Sequence, residues 1–301
     1  MSISKVDFHI HTKFSDDGEF SPGEIVRQCE AEGMEWIAVT DHNSVRGVPK
    51  AMEEAVSVRV ISGVELDCVY RGHNFHLLGY GINAAREEFW EIEQDILSQE
   101  RRAAEEKIRL FSKASGIYVD ADKILAESES GVVTGEQIAA YVLGREDAER
   151  DERLVPYLPG GQKSDMPNVR FYWDFFSKGK PAYVEISYLS LPDAASLIHS
   201  AGGMAVLAHP GQNLKGDDEL LDRIIEEKID GIEAFSSYHS RAEAAHYLEA
   251  AIQGGLLATC GSDFHGRHKP NIRLGGHNAL WSDEKLLSEM KKSPLLRQPV
   301  L

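Results

Sequence analysis

The chain has 301 residues, 42% of them hydrophobic, enough for a large core or for two unequal ones. Its formal net charge of −17 argues against a broad basic groove for duplex nucleic acid, and no apolar run is long enough to span a bilayer. Three scattered cysteines, Cys29, Cys68 and Cys260, form no CxxC pair and no disulfide set, so each reads as a small buried apolar residue.

The N-terminal MSISKVDF lacks the basic-then-apolar layout of a secretory leader, so a cytoplasmic protein is expected. In KVDFHIHTKFSDDG, Val6, Phe8 and Ile10 alternate with Asp7, His9 and His11. That period of two predicts a strand whose polar face carries both imidazoles, close enough to share one metal ion. Ser21-Pro22-Gly23-Glu24 is a capped helix start, and Gly33 a stop. Trp36–Thr40 reads as a buried strand running into Asp41-His42-Asn43. A helix follows from Val48 to about Ala55, then a third strand over Arg59–Glu65 and a fourth over Asn74–Gly81 with His76 inside it. Alternation of strand and helix points to an α/β fold with parallel strands.

From about residue 84 the pattern turns helical and charged. Residues 84–180 are read as a helical insertion, with the remaining 1–83 and 181–301 forming one discontinuous domain. Alternation resumes with a helix over Ser190–Gly203, a fifth strand ending at His209, and a sixth over Gly231–Phe235 followed by His239. A seventh runs into Asp263 and His265, and Asn278–Trp281 is expected as a last short strand.

Aligned by their C-terminal ends, these strands gather His9, His11, Asp16, Asp41, His42, Glu65, His209, Asp263 and His265, with His76 nearby. The C-terminal rim of a parallel β/α barrel is where catalytic groups sit. Imidazoles and carboxylates without soft ligands suit a multinuclear site for zinc, manganese or iron.

The blocks H-x-H, S-D, T-D-H, G-V-E, a following His, A-H-P-G and G-S-D-x-H-G, in this order, resemble the polymerase and histidinol phosphatase (PHP) family of metal-dependent phosphoesterases. The resemblance covers the first 83 residues and roughly 181–301. It implies a distorted, TIM-like (β/α)7 barrel with an inserted small helical domain. The insertion, closing on Gly179–Val184, resembles the small-molecule and nucleotide phosphatase branch. Carried over, the resemblance implies three divalent ions: one on His9, His11, Glu65 and Asp263, one on Glu65, His76 and His209, and one on Asp16, His42 and His265. Asp17 is the alternative to Asp16, and His73 to His76. Asp7 and Asp41 are expected either to orient ligating histidines or to pair with buried backbone. One departure stands out: Val133-Thr134-Gly135-Glu136-Gln137 replaces an Arg-Pro-His-like block of related nucleotide phosphatases, which leaves distal substrate recognition open.

Hydroxide bridging two close divalent ions is a strong nucleophile, and the three ligand carboxylates leave a trinuclear site net positive, suited to a phosphate dianion. Proton transfer is assigned to one of His239, His265 or Asp263. His239, Arg46 and Arg267 are the candidate phosphate contacts, whereas Lys178 and Lys180 read as surface charges. The expected activity is hydrolysis of a small phosphate ester, a nucleotide 3′,5′-bisphosphate or a sugar phosphate. Alternatives are a cyclic phosphate phosphodiesterase, a 5′→3′ exoribonuclease on short oligonucleotides, a histidinol phosphatase and a non-catalytic metal-stabilised module. A carbon–nitrogen amidohydrolase would share the barrel, but there a lysine usually bridges the metals where this chain has Glu65.

Overall fold

In the computed structural model, which describes residues 3–128 and 131–292, the chain divides into two compact units. One comprises Met1–Ile92, Tyr188–Gly266 and Ile272–Leu301, the other Glu93–Ser187 and Arg267–Asn271. The second unit thus starts later than residue 84 and also takes in the loop after His265. Phe89, expected in the insertion, packs into the core of the first unit.

The first unit is built on one sheet. Its barrel path holds seven strands in spatial order: β1 (Val6–Ile10), β2 (Trp36–Val39), β3 (Arg59–Tyr70), β4 (His73–Tyr80), β6 (Met204–Leu207), β7 (Gly231–Ser236) and β8 (Leu257–Gly261). A two-residue strand, β5 (Leu189–Ser190), pairs with β3 off this path. The barrel nearly closes through a parallel bridge from Ile10 to Phe264, with the Asp263 N–H donating to the His9 carbonyl at 2.8 Å. Val6, Phe8, Leu66, Leu77, Val206 and Phe235 are buried in the main core.

Parallel strands alone do not describe this sheet. β4 runs antiparallel to both β3 and β6. The cause is local: Arg71 (φ 49°) and Gly72 (φ 82°) form a two-residue turn with both φ positive, which returns the chain directly without a crossover helix. β3 therefore extends past Glu65 to Tyr70, and Asp67 faces His76 across the pair. The short strand expected at Asn278–Trp281 is irregular.

Helices cover the strands as their signals dictate. α1 (Pro22–Ala31) starts with the Ser21–Glu24 capping box. α2 (Gly47–Glu54) and α7 (Leu191–Ser200) follow β2 and β5. Short α8 (Pro210–Leu214) begins right after His209, α9 is Asp218–Glu226, α10 (Arg241–Gln253) follows β7, and α11 is Asp283–Lys292.

α3 (Glu87–Ser115) leads into the second unit, where α4 (Ala121–Glu127), α5 (Gly135–Leu143) and α6 (Pro167–Phe175) follow. This unit has its own core of Ile108, Phe111, Ile138, Val142, Phe171 and Phe176. The departing Thr134–Gln137 stretch has a structural role, since Thr134 and Gln137 form the capping box of α5. No helix of the described residues is long and apolar enough to cross a membrane.

Candidate metal centre

Period-two alternation sends His9 and His11 into the barrel from β1. Glu65 enters from β3 as a fully buried carboxylate, and the site is organised around it. Its Oε2 lies 3.0 Å from His9 Nε2, 3.1 Å from His11 Nε2 and 3.3 Å from His42 Nδ1. Oε1 lies 2.9 Å from His76 Nδ1 and 3.1 Å from His209 Nε2. Asp263 Oδ1 stands 3.4 Å from His9 Nε2 and 3.1 Å from His11 Nε2. His265 Nε2 is 3.1 Å from Asp17 Oδ2.

Four groups among the described residues bring donor atoms within 4.8 Å of one another: His9, His11, Glu65 and Asp263; Glu65, His76 and His209; His11, Asp17, His42 and His265; and His42, Asp67 and His76. All these residues lie in the first unit. Eight of the nine expected ligands converge, and the exception is Asp16. The turn after β1, with the Ser15 N–H on the Thr12 carbonyl and the Gly18 N–H on that of Ser15, exposes Asp16 and turns Asp17 inward. His73, the alternative to His76, is exposed.

The imidazoles are held ready from outside. His9 Nδ1 meets Glu233 Oε1 at 2.9 Å, and His11 Nδ1 meets Ser15 Oγ at 2.9 Å. His209 Nδ1 meets Asn213 Oδ1 at 3.2 Å, and His265 Nδ1 meets the Asp263 carbonyl at 2.9 Å. Each of these partners takes the Nδ1 hydrogen, which leaves Nε2 as the inward-facing donor atom. His76 is reversed: Nδ1 faces Glu65, and Nε2 lies 3.1 Å from Asp67 Oδ1. Asn43 steadies Asp67 by donating from Nδ2 to its Oδ2 and accepting its backbone N–H.

This arrangement fits divalent cations. His11 Nε2 and His42 Nδ1 are buried and make no hydrogen bond, although carboxylate oxygens stand near both. Without a cation, the charges perturb one another. Burial opposes a charged His11, but Asp263 and Glu65 outweigh it and raise the pKa to about 9. His76 likewise rises to about 9 against its burial, through Glu65 and Asp67. Burial wins at His42, which falls to about 4 despite Glu65. At Glu65 itself, burial is overcome by His9, His42 and His76, which hold the carboxyl well below its ordinary range. The backbone pays for the convergence: His209 (φ 23°) and Asp263 (φ 60°) both have positive φ, strained for residues other than glycine.

The remaining expected residues are placed by their contacts. His239 is buried, donates from Nδ1 to the Ala234 carbonyl at 2.9 Å and accepts the Gly211 N–H on Nε2 at 3.1 Å. Both nitrogens are engaged with backbone, so the residue is a clamp on the His209–Gly211 turn and neither a phosphate contact nor a proton donor. Arg46 is exposed, with its guanidinium 4.5 Å from the Phe14 ring. Arg267 is exposed and belongs to the second unit. Asp7 accepts the N–H groups of His9, Ser262 and Gly275, pinning backbone and touching no ligand imidazole. Asp41 acts through a relay: it accepts from Thr12 and from Ser15 Oγ, which holds His11 Nδ1.

Two acidic residues were missed by the sequence reading, though each carried a signal. Asp67 lies two positions beyond Glu65, hence on the same strand face. Glu233 is the charge inside the otherwise apolar strand GIEAF, and a charge there needs a buried partner. Tyr238, whose hydroxyl donates to Asp263 Oδ2 at 2.5 Å, had no comparable signal.

The PHP domain family model matches residues 7–132. The chain is 29% identical to a phosphoribosyl 1,2-cyclic phosphate 1,2-diphosphodiesterase of Eggerthella lenta, over 87% of this chain and 94% of that protein. It is 29% identical to a 3′,5′-nucleoside bisphosphate phosphatase of Chromobacterium violaceum, over 87% and 88%, and 28% identical to the 5′-3′ exoribonuclease Rnm of Salmonella typhimurium, over 91% and 89%. The fold matches that of an amidohydrolase from Chromobacterium violaceum solved with bound sulfate, at a TM-score of 0.76 and 24% identity, covering 95% of this chain and 97% of that one. With its donor residues converged on one barrel mouth, the chain carries a match to the PHP domain over residues 7–132.

Proposed function

We propose that this protein hydrolyses phosphoester bonds of small ribose phosphates at a cluster of divalent cations. The observation that carries the reading is Glu65, one buried carboxylate with five imidazole nitrogens at 2.9–3.3 Å. His9, His11, Glu65 and Asp263 would hold one cation, Glu65, His76 and His209 a second, and Asp17, His42 and His265 a third. Manganese, zinc or iron suits these nitrogen and oxygen donors. Such ions, when bound, polarise phosphoryl oxygens and make water a strong nucleophile at neutral pH.

The chain's own groups position and balance this chemistry. The Nδ1 tethers keep four imidazoles from rotating away. Tyr238 occupies Asp263 Oδ2, so Oδ1 is the oxygen turned toward His9 and His11. Asp67 and Glu233 join Asp17, Glu65 and Asp263 around the imidazoles, making five carboxylates. Three divalent ions would then leave about one positive charge, less than the ligand carboxylates alone imply. A phosphate would be held by short oxygen–cation contacts and not by a broad positive field, which suits a small substrate and a chain of charge −17.

The named substrates of the three relatives, a cyclic phosphoribosyl compound, a nucleoside bisphosphate and RNA, share a ribose carrying phosphate, which is why that class is chosen. We also read the second unit as a helical insertion in the barrel chain. The test is a phosphate-release screen of manganese-loaded protein on nucleoside 3′,5′-bisphosphates, ribose cyclic phosphates, sugar phosphates and short RNA, with His9→Ala as control. Release largely abolished by the substitution is expected. Equal release from both proteins, or none from any ester, would reject the proposal.

A further inference from the structure

We infer that Glu233 is a positioning residue of the metal centre: its carboxylate fixes the His9 tautomer and the seat of His209, and so sets the affinity of two of the three cation positions. The inference rests on reading the cluster as a metal centre.

Glu233 lies in β7, a strand buried at every position, and its side chain is wholly inaccessible. An ionised carboxylate there is costly unless both oxygens are occupied. Both are. Oε1 stands 2.9 Å from His9 Nδ1, and Oε2 accepts the His209 backbone N–H at 2.8 Å. His9 belongs to the group with His11 and Asp263, and His209 to the group with His76; Glu65 is common to both. Glu233 therefore braces one ligand from each, through a ring in one case and a strained peptide in the other.

The contact is built into the barrel. β8 lies between β7 and β1, so Glu233 must reach past it to meet His9. Gly261 of β8 makes the room: a Cβ there would stand 2.5 Å from Glu233 Oε1 and 2.1 Å from the His9 Cβ. The partners that hold the Nδ1 atoms of His11, His209 and His265 are a hydroxyl, an amide and a peptide carbonyl. At His9 the partner is a carboxylate, which makes Nε2 the stronger donor. The third group, with Asp17, His42 and His265, donates no hydrogen bond to Glu233 among those described.

Glu233→Gln keeps the shape and removes the charge. Its effect is read by calorimetric Mn2+ titration of EDTA-stripped protein, by the melting of the stripped protein, and by the 1H–15N pattern of the histidine rings. A roughly 10- to 100-fold loss of Mn2+ affinity is expected, larger than any fall in the stripped melting temperature accounts for, since the amide must turn its NH2 group toward His9 Nδ1 or the His209 N–H. Asp17→Asn, in the group that Glu233 does not touch, should lose affinity additively with Glu233→Gln, whereas His9→Gln should not. Unchanged affinity in Glu233→Gln, or a loss tracking a lowered stripped melting temperature, overturns the inference while leaving the metal centre standing. Wild-type protein that binds no Mn2+ removes both together. Should Glu233→Gln not fold, the wild-type ring spectrum decides: His9 protonated at Nδ1 is required, and an unprotonated Nδ1 refutes the role.

Discussion

Glu65→Gln is the substitution that presses hardest on this account. The amide has the carboxylate's shape but must turn an NH2 group toward one end of the cluster. If it replaces Oε1, contacts to His76 and His209 fail; if Oε2, those to His9, His11 and His42 fail. Removing one member of a buried charged pair costs about 3–5 kcal/mol. The low end applies here, because the imidazoles can shed protons and Asp263, Asp67 and Glu233 remain beside them. At roughly 2–4 °C per kcal/mol for a chain of this size, about 3 kcal/mol lowers the melting temperature of the metal-free protein by roughly 6–12 °C. The larger signature is linkage. A cation at about 1,000 times its Kd adds about 4 kcal/mol per site to the wild-type protein. Glu65 belongs to two of the four groups, so the variant should lose most of that gain. Scanning calorimetry of EDTA-treated and Mn2+-loaded samples, with metal content by plasma spectrometry, measures both effects. A variant that retained wild-type metal content and the wild-type Mn2+-induced shift would refute the central place given to this carboxylate.

The remaining predictions concern residues whose roles the structure reassigned or revealed. Asp17→Asn should lower the equilibrium metal content, whereas Asp16→Asn should leave it unchanged; the opposite pattern in dialysed samples would restore Asp16 as the ligand. His239→Ala should cost about 2–4 kcal/mol in urea unfolding, from a cavity and two unpaired backbone groups, while metal content holds. A loss of bound metal without a loss of stability would count against the clamp. Glu30 of α1 accepts three N–H bonds, from Val56, Ser57 and Val58 at 2.8, 2.6 and 3.2 Å, and these hold its carboxyl down at about 2. Because the folded-state pKa is depressed, its contribution is present above the ordinary glutamate value of 4.5 and fades as pH falls through about 2. Discounted for partial exposure, Glu30→Gln should cost about 1 kcal/mol at pH 7 and almost nothing near pH 2; a cost independent of pH would remove the charge from the explanation.

How far the site could be read in the residues depended on how local each signal was. His9 and His11 share a strand face because strands have a period of two, and that holds in any fold. His209, Asp263 and His265 follow apolar strands directly, so placing the strand ends placed them too. Asp16 against Asp17 could not be settled that way, because a turn gives neighbouring residues opposite directions and only its hydrogen bonds decide which one faces inward. His239 misled for a related reason. It stands at the end of β7, where a phosphate contact was expected, yet the carbonyl of Ala234 and the N–H of Gly211 use both its nitrogens. Strand polarity was the larger omission: the Arg71–Gly72 turn makes β4 antiparallel, and only that pairing sets Asp67 opposite His76.

Ligand blocks and the groups that steady them therefore differ in legibility for a physical reason. A ligand must be of a narrow chemical type and lie at a strand end, so it leaves a short block. A tether has only to offer an acceptor to Nδ1, and here a hydroxyl, an amide, a peptide carbonyl and a carboxylate all serve. The carboxylate differs from the other three in cost. A neutral acceptor in its place would satisfy the His9 hydrogen without burying a charge. A buried anion that requires a cleared path across a neighbouring strand is worth its cost if the charge itself acts on His9. For that reason a charge inside an apolar strand, as in GIEAF, tells more about the strength of this centre than a polar residue at its rim.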